Sequence, residues 1–375
     1  MNEHISGISV CADRKGEWDQ NANRRQGLKD LHRLHRYGIS LRAPKSVELF
    51  PAFDERIGSL DRVRAFCNHE AFVGLCVLTD RAMLFEQRAA DFGAHDIHSV
   101  QSISKTLVFL IAGRLVEKGL LNMEAMVRDY IPEIGSGYRH ATVQALFDMA
   151  VINDYHEDYA DGEAMIGELE DAHGWRILKN HDHVNLQTFL QTIPGDGTPN
   201  TDYTHSYKTA NTDLAAWICE RVSGCRLRDL TLEIIEAAGV EDPVVVSTDR
   251  SGTPFLGGGL HMSLRDLARY GRLLGNAGMH GAGHSVSSRT FFDTTKTEAS
   301  KGTATPVGCR YRNFTFTDGH WIGHLGYGGQ WLMAFPDTGL VIACLAALAG
   351  DDAIDMNFIK HLPDMGQDIS NLLGD

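Results

Sequence analysis

The chain has 375 residues, of which 43% are hydrophobic, so it is long enough for one large core or for two lobes that share a cleft. Its 35 basic and 49 acidic residues give a formal charge of −14, which repels nucleic-acid phosphates and anionic membrane surfaces, so neither is an expected partner. The first residues, MNEHISGISVCADRKGEWD, lack an apolar leader, and no segment reaches the roughly 18 apolar residues of a membrane span. We therefore expect a soluble, cytoplasmic protein.

Polar residues dominate positions 1–45, where the basic patch NRRQGLKDLHRLHR at 23–36 favours an arm packed across the body of the protein. From residue 71, AFVGLCVLT, a turn at Asp80 and Arg81, and AMLFEQRA form a β-hairpin pattern. Helical sequence dominates from 102 to about 240, and strand sequence returns in YRNFTFT, HWIGHLG, GGQWLMAF and GLVIACLAA.

This order of elements predicts an α+β fold, in which an antiparallel sheet built from both ends of the chain is flanked by helices and carries an inserted helical lobe. The expected domains are an arm at 1–45, a sheet domain at 46–114 and 255–375, and a mainly helical domain at 115–254. A cleft is expected between the two lobes.

The segment SISK combines a hydroxyl and an amine, because Ser102 and Lys105 are three residues apart and share one face of a helix. The apolar run TLVFLIAGRLV begins directly after Lys105, so desolvation should lower the pKa of its amine and let it accept a proton from serine. Free N–H groups at the start of the helix would stabilise an oxyanion. The alternative is that Ser99, Ser102 or Ser104 only caps the helix and that the spacing is accidental.

Two further stretches offer groups that a serine nucleophile needs. Tyr207, in HSYKTANTDLAAW, precedes a helix expected at about 212–222 and is a candidate for proton transfer, although packing is its commoner role. In GHLGYGGQWLMAF, closely spaced glycines allow a ligand to approach a strand edge, whose N–H groups suit an oxyanion hole, and His324 could touch the polar end of a substrate. The alternative there is a β-bulge with a structural histidine.

The order of SISK, YKT with NTDLAAW, and HLG with YGGQ resembles the superfamily of serine β-lactamases and penicillin-recognising proteins, in its class C-like and esterase branch. More closely, the chain is similar to nylon-oligomer (6-aminohexanoate-dimer) hydrolases. Longer stretches carry this similarity over most of the chain, including VLTDRAMLFEQR, ATVQALFDMAVINDYHEDYAD, FLGGGLHMSLRDLARYGRLLGNAG and GGQWLMAFPDTGLVIACL.

The resemblance implies a β-lactamase/transpeptidase-like fold and an acyl-enzyme mechanism that needs no cofactor. It implies that Ser102 is the acylated nucleophile, Lys105 its base and Tyr207 the second proton-transfer group. The oxyanion hole would be the backbone N–H groups of Ser102 and Tyr327. Four residues would contact substrate: His324, Leu325 and Gly326 of the strand motif, and Tyr159 of HEDYAD.

The chain departs from the family pattern in three places. Thr209 stands two residues after the tyrosine, where an asparagine is common; the strand motif lacks lysine; and AVIND at 150–154 replaces a common serine-glycine pair. We therefore expect linear amides or esters rather than β-lactams. The acidic segment DGEAMIGELEDAHGW at 161–175 could favour an amine-bearing substrate.

Other functions stay open at this point. A transacylase would use the same residues with an amine or alcohol in place of water, and a non-catalytic binding protein would keep the fold alone. An α/β-hydrolase is disfavoured because the chain has no GxSxG. The seven cysteines never form CxxC, and HDH at 181–183 is weak evidence for zinc, so no metal site is expected. Monomer and homodimer are both possible.

Overall fold

The computed structural model describes residues 18–159, 161, 164–175, 185–280, 283–350 and 353–374. Its strands, in chain order, are β1 Gly38–Leu41, β2 Phe50–Pro51, β3 Phe72–Thr79, β4 Ala82–Arg88, β5 His98–Ser99, β6 Val244–Ser247, β7 Leu260–Met262, β8 Met279–His280, β9 His284–Ser285, β10 Thr303–Ala304, β11 Arg310–Arg312, β12 Thr315–Thr317, β13 Ile322–Gly326, β14 Gln330–Phe335 and β15 Leu340–Ala346.

The helices follow the same order, with a short 3-10 turn at Gln101–Ser104 and another at Ala299–Lys301. They are α1 Arg24–Leu34, α2 Glu55–Ser59, α3 Asp61–Cys67, α4 Lys105–Glu117, α5 Val127–Tyr130, α6 Val143–Phe147, α7 Met165–Ala172, α8 Leu186–Thr192, α9 Thr209–Ser223, α10 Leu227–Ala238, α11 Leu264–Gly275, α12 Arg289–Thr297 and α13 Met356–Gly374. None of the helices in the described ranges is long and apolar enough to span a membrane.

The main sheet has nine strands in the order β10-β11-β12-β13-β14-β15-β3-β4-β2. All neighbours are antiparallel except β2 and β4. The expected hairpin is present as β3 and β4, with Asp80 in the turn at φ +50°. Because β3 pairs with β15, the two ends of the chain meet in the middle of one sheet, and the predicted α+β fold is confirmed.

Helices cover both faces of this sheet, as the closest contacts of two helical glycines show. A Cβ atom on Gly271 of α11 would meet Val341 and Leu332, whereas one on Gly366 of α13 would meet Met333 and Ile342. Adjacent residues of a strand point to opposite faces, so α11 and α13 lie on opposite sides. The sheet is therefore buried on both faces, which explains the continuous apolar sequence of β14 and β15.

Helix α4 is central to the packing, and every residue from Lys105 to Gly113 is buried. This helix packs against α9, α10 and α12 and against β12 and β13 of the sheet. Its amino-terminal end therefore lies where the lobe and the sheet meet. Helix α9 begins three residues earlier than expected, at Thr209, and ends at Gly224, whose φ of +68° terminates it.

A second, four-stranded sheet has the order β1-β6-β7-β5 and ties the amino-terminal region to the body. Strand β1 pairs with β6, and β5 leads directly into the 3-10 turn that carries Ser102. Helix α1 packs against β5 and β6. The segment that precedes Ser102 is thus held on both sides before the chain turns into α4.

Candidate active site

Ser102 lies in the 3-10 turn directly before α4, rather than within the helix itself. The preceding residue, Gln101, has φ +51°, a left-handed conformation that is uncommon for a residue with a side chain. The Gln101 amide donates to Ser99 Oγ at 2.8 Å, and Ser104 Oγ donates to the Gln101 carbonyl oxygen at 2.6 Å. Two of the three candidate serines therefore stabilise the turn, and the third, Ser102, is half-buried and lies beside Lys105.

Lys105 is the first residue of α4 and is completely buried. Its Nζ atom lies 2.9 Å from Ser102 Oγ and 3.2 Å from Thr209 Oγ1, and it also donates to the carbonyl oxygen of Gly257. Desolvation lowers the pKa of Lys105 below its ordinary value, and the nearby charges of Glu157 and Asp213 oppose this shift. Within the described ranges, no carboxylate oxygen lies within ion-pair distance of this amine.

Tyr207 lies two residues before α9, and its ring is half-buried. The Lys105 Nζ atom lies 5.1 Å from the centre of the Tyr207 ring. Burial and the Glu157 charge raise the pKa of Tyr207 well above its ordinary value, although a hydrogen bond with Ser102 opposes the rise. The structure therefore brings the three predicted catalytic residues together, and Tyr207 keeps its proton at neutral pH.

Strand β13 ends against the turn that carries Ser102. A Cβ atom on Gly326 would lie 2.5 Å from the carbonyl oxygen of Val100, so only glycine permits this approach. Tyr327 follows, and no hydrogen bond among the described residues occupies its backbone N–H. This geometry agrees with the oxyanion hole inferred from the sequence, which stays a prediction.

His324 lies in the interior of the protein, within β13. Its ring is completely buried, with Nε2 2.9 Å from the Tyr311 hydroxyl and Nδ1 2.7 Å from the Leu325 carbonyl oxygen. Burial, together with the charge of Lys105, lowers the pKa of His324 well below its ordinary value. The ring is thus neutral and supports β13, while Leu325 is half-buried. Direct contact of these strand residues with substrate stays a prediction.

The loop before residue 160 contributes a carboxylate that the sequence analysis passed over. Glu157 accepts hydrogen bonds from the Tyr159 hydroxyl, from the Tyr155 hydroxyl at 3.3 Å, and from Thr209 Oγ1 at 2.7 Å. The Thr209 backbone N–H donates to the other oxygen of Glu157. Tyr159 is exposed and its ring lies 5.3 Å from that of Tyr327, so it borders the predicted oxyanion hole.

A second buried acid lies on the other side of Lys105. Asp213 is one turn after Thr209 on α9, and its Oδ1 atom accepts from the Gly257 N–H at 3.1 Å. Burial raises the pKa of Asp213, while the charge of Lys105 lowers it. Asp213 therefore binds the N–H of the residue whose carbonyl oxygen accepts from the Lys105 amine.

Aromatic rings pack in a row that ends at Tyr327. Trp18 packs edge-on against Trp175 at 5.7 Å and against Tyr327 at 6.3 Å, and Trp175 packs edge-on against Phe255 at 5.4 Å. Arg24 of α1 lies over the Tyr327 ring at 5.4 Å. The amino-terminal arm therefore supports the residue that follows the strand motif.

In the described part of the chain, no three His, Cys, Asp or Glu residues are grouped as a metal site would need. The HDH sequence at 181–183 lies outside the described residues. In the acidic segment at 161–175, Glu168, Glu170 and Asp171 each already make an interaction. The arrangement as a whole is a hydroxyl beside a desolvated amine and a protonated phenol, which suits nucleophilic attack on a carbonyl group.

The profile of one protein family, Beta-lactamase, matches residues 73–361. The chain belongs to the beta-lactamase family. This membership confirms the resemblance given by SISK, YKT and HLG.

Relatives within and near this family include hydrolases. The 6-aminohexanoate-dimer hydrolase of Paenarthrobacter ureafaciens is 33% identical over 213 residues, which is 56% of this chain and 54% of that protein. The match thus spans about half the length of that relative. A candidate 6-aminohexanoate-dimer hydrolase from Bacillus anthracis superposes with a TM-score of 0.81 at 20% identity, over 96% of this chain and 97% of that one.

A D-stereospecific amidohydrolase from Streptomyces sp. superposes with a TM-score of 0.58 at 18% identity, over 82% of this chain and 97% of the other. At these identities, the two solved structures show that the beta-lactamase fold is shared. They do not assign a substrate to this chain.

Three residues of the site were missed, although the sequence held a signal for each. Glu157 is two residues before Tyr159 in HEDYAD, Asp213 is four residues after Thr209 on the same helix face, and Gly257 begins the run GGG. No local pattern pointed to Trp18, because its contacts with Trp175 and Tyr327 form only in the folded chain.

Proposed function

We propose that this chain is a serine hydrolase that cleaves the amide or ester bond of a small linear substrate through an acyl-Ser102 intermediate. One observation carries the proposal: the buried Lys105 amine lies 2.9 Å from Ser102 Oγ. A protonated amine is costly in this position, so a fraction of the neutral base is available near neutral pH.

In the first half of the reaction, Ser102 Oγ attacks the substrate carbonyl carbon and its proton passes to Lys105 Nζ. The backbone N–H groups of Ser102 and Tyr327 stabilise the oxyanion of the tetrahedral intermediate. Tyr207 then donates its proton to the leaving amine or alcohol and regains one from Lys105. The C–N or C–O bond breaks, and the acyl group stays on Ser102.

In the second half, water takes the place of the leaving group. It attacks the acyl carbon while Tyr207 and Lys105 accept its proton, and collapse of the second tetrahedral intermediate returns the proton to Ser102 as the acid is released. No metal or cofactor enters either half of this scheme.

Linear substrates are favoured over β-lactams because the strand motif offers a buried, neutral His324 where a cation would be needed to bind a carboxylate. The 6-aminohexanoate-dimer hydrolase among the relatives supports an amide of this type. For an amine-bearing substrate, carboxylates of the 161–175 segment are the candidates for recognition. Unchanged selectivity after their replacement would contradict that part of the proposal.

The first test is intact mass after incubation with a fluorophosphonate probe. The wild type should gain a single adduct that is absent in Ser102→Ala, and Lys105→Ala should label far more slowly. Hydrolysis of short linear amides and esters, with and without added amine acceptors, then separates a hydrolase from a transacylase. A folded wild type that forms no adduct would contradict the proposal and favour a binding protein of the same fold.

A further inference from the structure

The hydrogen bonds around Lys105 constrain where its lone pair points. A neutral amine has two N–H groups and one lone pair, and Lys105 Nζ has three polar neighbours. These neighbours are Ser102 Oγ at 2.9 Å, Thr209 Oγ1 at 3.2 Å, and the Gly257 carbonyl oxygen. Which neighbour faces the lone pair decides whether the amine is a base for Ser102.

The Gly257 carbonyl oxygen can only accept, so it takes one N–H of the amine. Thr209 has a single hydroxyl proton, and its Oγ1 atom donates that proton to Glu157 Oε1 at 2.7 Å. An ionised carboxylate can only accept, so the Thr209 oxygen is left with lone pairs toward Lys105 and takes the second N–H. Both N–H groups are then used, and the lone pair faces Ser102.

We propose that Glu157, acting through the Thr209 hydroxyl, is a positioning residue that aims the lone pair of the neutral Lys105 amine at Ser102. This inference rests on the proposed function, because it concerns the base of that reaction. It also gives a physical reason for Thr209 in place of the asparagine that is common in the family.

The loop around Glu157 is built to hold the carboxylate in this position. The hydroxyl groups of Tyr155 and Tyr159 both donate to it, and the Lys208 ammonium donates to the Tyr155 carbonyl oxygen. Lys208 directly precedes Thr209, so the loop and the start of α9 are fastened together at the point where Glu157 meets Thr209.

A structural role would also place a carboxylate here, because Glu157 accepts from the Thr209 backbone N–H at the start of α9 and so caps the helix. The helix cap uses the backbone N–H of Thr209, whereas the positioning role uses its hydroxyl. Thr209→Val keeps the backbone N–H and the cap, and removes only the hydroxyl that connects Glu157 with Lys105. Thr209→Ser restores that hydroxyl.

The helix offers a matched control. Thr212 is also completely buried on α9, and its hydroxyl has no hydrogen-bond partner among the described residues. Thr212→Val therefore makes the same chemical change in the same helix, at a hydroxyl that has no hydrogen bond with the amine. The readout is the pseudo-first-order rate of fluorophosphonate adduct formation on Ser102, measured by intact mass across the neutral and alkaline pH range, with circular dichroism to confirm folding.

We expect Thr209→Val to slow labelling at the pH plateau by about 10- to 100-fold, because the amine can turn its lone pair away from the nucleophile. Thr209→Ser should label within about threefold of the wild type, since the hydroxyl is retained, and Thr212→Val should match the wild type.

Glu157→Gln should lower the plateau and also move the acid limb of the pH profile to lower pH. The negative charge of Glu157 raises the pKa of Lys105, so its removal makes the neutral amine available at lower pH. The other titratable groups that face the amine are Asp213, Tyr207 and His324, and all three are unchanged in this variant. The displaced limb reports the lost charge of Glu157, and the lower plateau reports the orientation of the amine.

The double variant Glu157→Gln/Thr209→Val tests whether Glu157 acts through Thr209. If it does, the double variant has the plateau rate of Thr209→Val alone. Full additivity of the two losses would overturn the proposal, as would Thr209→Val labelling at the rate of Thr212→Val. If Thr209→Val does not fold, Thr209→Ala takes its place, and labelling at the rate of its control Thr212→Ala would overturn the proposal in the same way.

Failure of the proposed function gives a different pattern. If the folded wild type forms no adduct, or if Ser102→Ala labels as fast as the wild type, both proposals fall together. If the wild type labels on Ser102 while Thr209→Val is as fast as its control, only the role of Glu157 and Thr209 is contradicted.

Discussion

Arg312 and Lys105 are both buried basic side chains, but the groups around them differ in kind. The Arg312 guanidinium pairs directly with Asp148. Asp148 also accepts hydrogen bonds from the Gln144 side-chain amide, the Tyr203 hydroxyl and the Asn313 backbone N–H. Asp148 has no exposed surface, and its two oxygens accept four hydrogen bonds. This Asp148 cluster joins α6 to β11, and the Arg312 guanidinium also lies 3.4 Å from a Glu298 oxygen.

The Lys105 cluster is arranged in the opposite way. Its two carboxylates do not bind the amine directly. Glu157 accepts from the Thr209 hydroxyl, and Asp213 accepts from the Gly257 N–H. Thr209 and Gly257 are in turn the residues that accept from the amine. Keeping the carboxylates one group away leaves Lys105 desolvated without an ion pair, which is unfavourable for stability. The comparison teaches that a direct ion pair stabilises the fold, whereas an amine held apart from its counter-charges can exchange a proton.

The largest effect is expected for Lys105→Met, which tests whether Lys105 differs in role from Arg312. We expect fluorophosphonate labelling of Ser102 to fall by about 10²- to 10⁴-fold, since the general base is lost. Because the variant removes a buried amine that has no ion pair, its free energy of unfolding, measured in urea, should stay the same or rise. A large loss of stability would show that Lys105 is a structural residue like Arg312.

The reciprocal change is Arg312→Met. This variant leaves Asp148 buried without its counter-charge, so we expect the free energy of unfolding to fall by about 3–5 kcal/mol. Urea unfolding followed by circular dichroism measures it. A loss below about 1 kcal/mol would contradict the view that the Asp148 cluster stabilises the junction of lobe and sheet.

Gly257→Ala tests the packing of the Lys105 cluster. The added Cβ would lie 2.4 Å from Thr209 Cγ2, so either Thr209 or the Gly257 carbonyl must move away from the amine. We expect labelling to slow by about tenfold. In Gly167→Ala the added Cβ meets no atom within 4 Å, and this variant should label normally.

Asp213→Asn tests how the charge of a nearby carboxylate affects the pKa of Lys105. The Asp213 charge raises the pKa of Lys105, so its removal should move the acid limb of the labelling profile to lower pH. The sign follows because only the neutral amine accepts the Ser102 proton. Asp148→Asn should leave the limb in place, since Asp148 is not among the groups that shift Lys105.

The smallest effect is expected for Tyr159→Phe, which removes the hydroxyl that donates to Glu157. If Tyr159 contacts the substrate, KM for a linear amide should rise by about two- to tenfold with little change in kcat, the size of one hydrogen bond. A fall in kcat alone would assign the hydroxyl to the chemical step.

The sequence alone predicted the parts of the fold that short patterns encode. The hairpin of β3 and β4, the buried helix after Ser102 and the late strands are all present, because alternation, apolar runs and turn residues act locally. The 19-residue helix α13 was not anticipated, and it contains Pro363, a residue that usually argues against a helix interior.

In the candidate site, too, local patterns were informative and long-range contacts were not. Ser102, Lys105 and Tyr207 were found because each lies in a short motif, whereas Glu157 and Gly257 act through contacts between segments about 50 to 150 residues away in sequence from their partners. The 3-10 turn at Ser102 preserved the expected spacing, since residues three apart are also aligned in that geometry. The reactive residues could therefore be proposed from the sequence, whereas the contacts that orient them could not.

The pairing of β3 with β15 has a consequence for how the chain is made. Strand β3 leaves the ribosome with its hairpin partner β4, but its other neighbour follows roughly 260 residues later, which at about 5–20 residues per second is a delay of some tens of seconds. During that interval a wholly apolar strand has an open edge. We therefore expect the yield of soluble protein to depend on chaperones and on slow synthesis at low temperature.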